Sequence, residues 1–217
     1  MSSLSLERQV WPVIRDFPRF GKGSRMQLVE GGEGVRFQLD VSAGIDAIVH
    51  RASGGTVTFA SRVQWAPAEP NGAFPYNTFT IRAGLKSGGR TELAKRAAAI
   101  SGGDELYPRY TVQAYCDFPP GEGGVLSVGI ALTEDVIGFA VDNQDKEWFR
   151  MRRRMSGPGD AVFDVVKWHE VDAWEWHAGH ETNNGPLAGF TISCPRCQQP
   201  MPWARGDKPC LRCAWNL

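Results

Sequence analysis

The sequence lacks several features that assign proteins to a class at once. No run approaches the roughly 18 apolar residues of a membrane span. Residues 1–20 contain no signal-peptide core, which needs about 7–15 apolar residues. Neither sign of charge is in excess, because 24 Lys and Arg balance 24 Asp and Glu. We therefore expect a cytoplasmic protein without a membrane partner, in which any nucleic-acid surface is a local patch.

Catalytic signatures are equally scarce. The sequence contains no G-x-S-x-G nucleophile elbow, no H-E-x-x-H zinc motif and no protein-kinase set. A small-molecule enzyme therefore has no motif to support it.

Cysteine is rare, and four of the five cysteines lie near the C-terminal end. Cys194 and Cys197 form one C-x-x-C pair, and Cys210 and Cys213 form a second. Each pair places two thiolates on one tight turn, and two pairs complete a tetrahedron around Zn²⁺ at about 2.3 Å per Zn–S bond. Two disulfides are the alternative, which the lack of an export signal disfavours. The fifth cysteine, Cys116, lies in a predicted strand, where a buried thiol is usually inert.

This C-terminal segment resembles a zinc ribbon. Four thiolates leave no open coordination position, so the implied zinc ion is structural. A segment of about 25 residues buries too little apolar surface to fold alone, and metal binding would supply its folding free energy. We therefore divide the chain into a main domain, residues 1–185, and a zinc ribbon, residues 191–217.

The main domain mixes strands and helices without a βαβ rhythm. We predict an N-terminal helix interrupted at Pro12, and a hairpin that pairs Met26–Glu30 with Val35–Asp40. A second predicted hairpin joins Ile45–His50 to Thr56–Trp65. The remaining predictions are strands at Asn77–Arg82, Tyr110–Cys116, Val125–Ala131 and Ala161–Trp168, and helices at Glu92–Ile100 and from Thr133 to about Ala140. The fold class is α+β, with a mixed or antiparallel sheet and flanking helices.

The strand Thr56–Trp65 has two contrasting faces. Alternation places Val57, Phe59, Val63 and Trp65 on one face and Thr58, Ala60, Arg62 and Gln64 on the other. We expect the first face to join the core and the second to form a site.

With Asp46 at the start of the partner strand, this hairpin is weakly similar to the PD-(D/E)XK nuclease core. That family sets an Asp and then Glu-x-Lys in such a hairpin, where the carboxylates bind Mg²⁺ and the Lys assists an activated water. Asp46 matches the Asp, but Ala60 and Arg62 stand at the Glu and Lys positions. Ala60 cannot ligate a metal ion, and Arg62 is always protonated and accepts protons poorly.

The resemblance therefore implies a nuclease-like fold whose Mg²⁺-dependent cleavage is altered or lost. Gln64, helped by Glu7 or Asp40, would have to supply the missing ligands. The candidate catalytic residues are Asp46, Asp40, Gln64 and Arg62. The alternative is a capped hairpin with a solvated polar face.

Basic residues concentrate in two segments of the main domain and in the ribbon. Glycines 88 and 89 precede the helix at Glu92, and free backbone N–H groups at such a helix start can bind phosphate. Residues 148–154 interleave arginine with aromatic residues and predict an amphipathic strand with an arginine face. The predicted nucleic-acid contacts are Arg82, Lys86, Arg90, Lys95, Arg96, Arg150, Arg152, Arg153, Arg154, Arg196 and Arg212. Solvated helix and ribbon surfaces are the alternative.

These features together predict a cytoplasmic, nucleic-acid-associated protein with a nuclease-like core that works in a larger complex. The competing hypothesis is a non-enzymatic adaptor whose ribbon and exposed tryptophans bind another protein. The arginines distinguish the two hypotheses. If Arg82, Arg90, Arg96 and Arg150–Arg154 converge on one surface that includes Asp46, nucleic-acid binding is favoured, and if they scatter, the adaptor is favoured.

The zinc ribbon makes a direct prediction about metal content. Elemental analysis of the purified chain should find about one zinc ion per chain, because two C-x-x-C pairs form one four-thiolate site. Cys194→Ser should lower the zinc content and expose the C-terminal segment to proteolysis, whereas Cys116→Ser should change neither. A zinc-free wild-type protein would refute the ribbon.

Overall fold

The computed structural model describes residues 2–29, 39, 43–65, 76–85, 88–89, 91–102, 106–117, 122–155, 161–178, 192–193 and 200–201. The chain divides into two compact units, residues 1–178 and 179–217. The first unit combines mixed β-sheet with helices, which confirms the α+β class predicted from the sequence.

The first unit begins with a helical segment that passes through Pro12. Helix α1 (Ser2–Ser5) continues as a π-helical turn (Leu6–Val10) and then as helix α2 (Trp11–Ile14). In the π turn, Trp11 N–H donates to the Leu6 carbonyl five residues earlier. Proline removes a backbone donor and its ring clashes with the carbonyl four residues earlier in a regular helix, so the wider turn lies where the α-helix cannot continue unchanged.

The strands and remaining helices follow in chain order. The strands of the first unit are β1 (Arg25–Leu28), β2 (Ala47–His50), β3 (Thr56–Trp65), β4 (Thr78–Leu85), β5 (Tyr110–Cys116), β6 (Val125–Leu132), β7 (Arg154–Met155), β8 (Ala161–Lys167) and β9 (Trp174–His177). The longer helices are α3 (Glu92–Gly102) and α4 (Thr133–Asn143), followed by the single-turn helix α5 (Glu147–Arg150) and a 3₁₀ turn (Trp168–Glu170).

Six strands form the larger sheet, in the order β1-β2-β3-β5-β6-β9. All neighbours are antiparallel except β3 and β5, which are parallel. The predicted β2–β3 hairpin is confirmed, and its turn is closed by Arg51 N–H donating to the Gly55 carbonyl at 3.1 Å. Strand β1 pairs with β2, with Met26 opposite Val49. The predicted partner of β1, Val35–Asp40, lies almost entirely outside the described residues.

A three-stranded antiparallel sheet, in the order β4-β8-β7, covers part of the larger sheet. Thr80 Oγ1 on β4 donates to Gln113 Oε1 on β5 at 3.1 Å, and the hydroxyls of Thr78 and Tyr115 are 2.8 Å apart. The opposite face of the larger sheet packs Phe59 against the N-terminal helical segment. The smaller sheet therefore packs on β5, next to the face of β3 that is predicted to form a site; on that face Ala60 is buried, and Thr58, Arg62 and Gln64 are half-buried.

Helices cover the outer face of the smaller sheet. Phe79, Ile81 and Val166 of that sheet share a hydrophobic cluster with Ile137 of α4 and Phe149 of α5. These apolar side chains account for the position of both helices, because burying each contributes roughly 1.5–3 kcal/mol.

The prediction of an amphipathic strand at residues 148–154 is wrong. The segment forms helix α5, a turn and then β7. A strand would place Phe149 and Met151 on the same face, yet Phe149 is fully buried whereas Met151 is 75% exposed. The segment buries the Phe149 ring in the core, whereas the side chains of Trp148 and Met151 are exposed.

The second unit is described at two short strands. Strand β10 (Ile192–Ser193) pairs antiparallel with β11 (Pro200–Met201). The four zinc-ligand cysteines predicted from the sequence lie outside the described residues, so the ribbon stays a prediction. In the described part of the chain, no helix is long and apolar enough to cross a membrane.

The close contact between Gly129 and Trp168 makes a prediction about stability. A Cβ on Gly129 would lie 2.3 Å from Trp168 Cε2, and this ring is fully buried. Gly129→Ala should therefore lower the free energy of unfolding by about 1–3 kcal/mol, as overpacking does. Urea unfolding followed by tryptophan fluorescence measures the change.

Gly138→Ala is the matched control for this substitution. A Cβ on Gly138, inside helix α4, meets nothing within 4 Å. This variant should gain about 0.5–1 kcal/mol from the loss of glycine in a helix. Equal stability of the two variants would contradict the packing of Trp168 on the larger sheet.

Candidate functional site

Glu92 lies at the centre of a cluster of charged side chains at the start of helix α3. Ala94 N–H donates to Thr91 Oγ1 at 3.2 Å, so the Thr91 side chain caps the start of the helix. Glu92 Oε2 accepts from Arg62 Nη2 at 2.8 Å and from the Arg82 backbone N–H at 3.3 Å. Glu92 Oε1 lies 2.6 Å from Arg96 Nη1. One carboxylate thus links β3, β4 and α3.

Asp46 lies immediately before β2, beside the same cluster. Its carboxylate accepts hydrogen bonds from the backbone N–H and the hydroxyl of Ser61, and its own N–H donates to the Phe59 carbonyl at 3.0 Å. The charge of Asp46 also acts favourably on the Arg96 guanidinium. Asp46 therefore stabilises the hairpin and a buried arginine.

Arg96 is the buried cation of the cluster, with 6% of its surface exposed. Burial lowers the pKa of Arg96, while the carboxylates of Glu92 and Asp46 oppose this effect and the charge of Arg62 adds to it. Arg96 Nη2 approaches the Gly44 carbonyl at 3.5 Å. The two carboxylate neighbours of the guanidinium offset part of its desolvation.

An aromatic ring, that of Phe163, also contacts arginines of the cluster. The guanidinium carbons of Arg62 and Arg82 lie 4.9 and 5.8 Å from the centre of the Phe163 ring, within the range of cation–π attraction. Arg82 and Arg154 are the cross-strand neighbours of Phe163 on its two sides, so all three point to one face of the smaller sheet. Arg82 and Arg154 are both exposed.

We call this set the arginine cluster: Arg62, Arg82, Arg96 and Arg154, together with Asp46, Glu92 and Phe163. Within this set, four guanidinium groups and two carboxylates lie together. The cluster therefore concentrates arginine at one place on a chain whose formal net charge is zero.

The other arginines of the 148–154 segment have separate acidic partners. Arg150 pairs with Asp145 at 3.6 Å, Arg152 pairs with Glu170 at 2.7 Å, and Arg153 Nε donates to Asp164 at 2.7 Å. The continuous arginine face predicted for this segment is not formed, because these side chains neutralise nearby carboxylates.

The remaining predicted site residues fall into two groups. Gln64 is half-buried on the Arg62 face of β3, opposite Tyr115, and Lys95 is half-buried on α3. Asp40, Lys86, Arg90, Arg196 and Arg212 lie outside the described residues. In the described ranges, no group of three or more His, Cys, Asp or Glu side chains is placed to hold a metal ion, and the predicted Mg²⁺ site stays a prediction.

Two titratable side chains of β5 are held in their neutral forms. Burial raises the pKa of Tyr115 to about 12, against the opposing effect of its hydrogen bonds with Thr78. Burial also raises the pKa of Cys116 to about 11. The Cys116 thiol is therefore a poor nucleophile at neutral pH, as expected for a buried strand cysteine.

The sequence did not point to Glu92 and Phe163 as members of the arginine cluster. The spacing of Glu92 and Arg96, four residues apart on a helix, is a readable ion-pair signal. The contact of Glu92 with Arg62, thirty residues earlier, and the position of Phe163 depend on how the two sheets pack. No local pattern carries that information.

Comparisons of the chain with family models, with curated proteins and with solved structures found no match.

Proposed function

We propose that this protein binds nucleic acid through the arginine cluster and does not cleave it. The observation that carries the proposal is the convergence of Arg62, Arg82 and Arg154 around Phe163, beside Asp46 and Glu92. Of the arginines that separate the two hypotheses, Arg82, Arg96 and Arg154 lie in the cluster with Asp46, which supports nucleic-acid binding. Arg150, Arg152 and Arg153 pair with other carboxylates, as the adaptor hypothesis expects.

The geometry of the cluster suits phosphate contact. A guanidinium group presents a planar fork of donors that matches the oxygens of a phosphate. Arg82 and Arg154 lie on strands separated by one intervening strand, so their backbones are about 10 Å apart. They can therefore contact different phosphates of one backbone, while Phe163 limits the motion of the Arg82 side chain.

The side chains around Asp46 favour binding over hydrolysis. Ala60 supplies no metal ligand, and Arg62 is engaged by Glu92 at 2.8 Å. The Asp46 carboxylate is occupied by Ser61 and lies near the Arg96 charge. A carboxylate held by protein donors and a nearby cation is a weak ligand for Mg²⁺, because those interactions must be given up first.

The second unit adds a further proposed contact. We assign Cys194, Cys197, Cys210 and Cys213 as ligands of a structural zinc ion, with Arg196 and Arg212 as nearby phosphate contacts. A reducing cytoplasm keeps these cysteines available for zinc. The protein would act there as a subunit of a larger complex on DNA or RNA.

A second candidate function is protein binding at the surface of helix α5. Trp148 is 39% exposed and Met151 is 75% exposed, and the Arg152 guanidinium lies 4.7 Å from the centre of the Trp148 ring. Tryptophan, methionine and arginine are enriched at protein interfaces. This surface is separate from the arginine cluster, so the two functions are compatible.

Fluorescence anisotropy with labelled single- and double-stranded DNA and RNA tests the proposed function. Arg82→Gln and Arg154→Gln should each weaken binding, and each should reduce the slope of log K against log salt by about 1 through the loss of one phosphate contact. Both side chains are exposed, so the fold should be retained.

Arg150→Gln is the control, since it removes one exposed arginine paired with Asp145, away from the cluster. Equal effects of all three substitutions, or no wild-type binding at low salt, would contradict the proposed interface. If the wild-type protein cleaves nucleic acid with Mg²⁺ and Asp46→Ala does not, the core is catalytic instead.

A further inference from the structure

The donors around Glu92 form an unusual set for a single carboxylate. Two guanidinium groups and one backbone N–H converge on it from β3, α3 and β4. Arginine side chains and main-chain N–H groups are also donors that proteins use to bind phosphate. The Glu92 carboxylate therefore occupies a position that suits the oxygens of a phosphate.

Glu92 satisfies these donors incompletely. Arg96 Nη1 is buried and lies 2.6 Å from Glu92 Oε1, yet it makes no well-aligned hydrogen bond to any described residue. Among the described residues, the one hydrogen bond of Arg96 Nη2 is the long 3.5 Å contact with the Gly44 carbonyl. An unsatisfied buried donor on a charged group is costly, and a tetrahedral phosphate offers more acceptor oxygens, in more directions, than a planar carboxylate.

The exposure of these side chains lets an anion from solvent replace the Glu92 carboxylate. The side chains of Arg62 and Glu92 are 28% and 22% exposed, whereas that of Arg96 is 7% exposed and lies deeper. An anion from solvent can therefore reach the carboxylate from the Arg62 side. Glu92 can rotate outward without unfolding α3, because its contacts here are made by the side chain.

We infer that Arg62, Arg96 and the Arg82 N–H form a phosphate-binding site that Glu92 occupies in the free protein. A backbone phosphate of nucleic acid displaces the Glu92 carboxylate and takes its donors. This inference rests on the proposed function and adds a competitor within the chain, so Glu92 lowers the affinity of the site for nucleic acid.

Glu92→Gln tests the exchange, because it keeps the shape of the side chain and removes the competing charge. This variant should bind a labelled oligonucleotide about tenfold more tightly than the wild type. The factor assumes that Glu92 is rotated out of the site in about one wild-type molecule in ten. Inorganic phosphate should raise its melting temperature more than chloride does at the same ionic strength. The wild type should show a smaller difference between the two anions.

Glu134→Gln is the matched control. Glu134 also lies in the first turn of an 11-residue helix and pairs with one arginine, Arg109, at 2.8 Å. Glu134→Gln removes the same charge outside the arginine cluster, so it should give little gain in affinity for the oligonucleotide. Arg62→Gln combined with Glu92→Gln should abolish the gain. Glu92→Asp, whose shorter carboxylate cannot reach all three donors, should give a smaller gain and serves if Glu92→Gln does not fold.

The possible outcomes separate the inference from the proposed function. If the wild type binds nucleic acid but Glu92→Gln and Glu92→Asp bind no more tightly than Glu134→Gln, the exchange is refuted and the proposed function stands. If phosphate stabilises Glu92→Gln but no variant binds an oligonucleotide, the anion site stands and the nucleic-acid function is refuted. If neither phosphate nor an oligonucleotide has an effect, both are refuted.

Discussion

The Glu92 carboxylate is the interaction on which the candidate site depends. It accepts from Arg62 and the Arg82 backbone and lies against Arg96, so it connects both sheets to helix α3. Without it, two neighbouring arginines would lose their shared counter-charge in a partly buried position. Leaving such a cation unpaired costs more than an exposed ion pair contributes, because desolvation is no longer offset.

This constraint also sets the surroundings of the polar face of β3, which the sequence predicts to form a site. The smaller sheet packs beside that face, where its residues Thr78 and Thr80 hydrogen-bond to Tyr115 and Gln113 of β5. At the edge of this layer, Arg62 is left between Glu92 and Phe163. The arrangement places cations, rather than free carboxylates, at the accessible margin, and it therefore suits the binding of an anion.

Local patterns predicted much of the secondary structure, and long-range packing accounts for most of the errors. The β2–β3 hairpin and the cap at Thr91 follow from alternation and from a side-chain acceptor at a helix start. Strand β1 pairs with β2 across a long connection, and the parallel β3–β5 pair depends on a crossover. The 148–154 segment has mixed residues that fit either a strand or a turn, and burial of Phe149 decides the outcome. Five of the seven members of the arginine cluster were among the predicted site residues: Arg82, Arg96 and Arg154 as nucleic-acid contacts, and Asp46 and Arg62 as catalytic residues. The two that bring them together, Glu92 and Phe163, were not.

A double-mutant cycle on Arg62 and Glu92 measures the central interaction most directly. The free energy of unfolding would be measured for the wild type, Arg62→Gln, Glu92→Gln and the double variant. A direct contact of two charges at 2.8 Å, partly shielded from solvent, predicts a favourable coupling energy of about 1 kcal/mol or more. A coupling energy near zero would contradict the role of Glu92 as the link between β3 and α3.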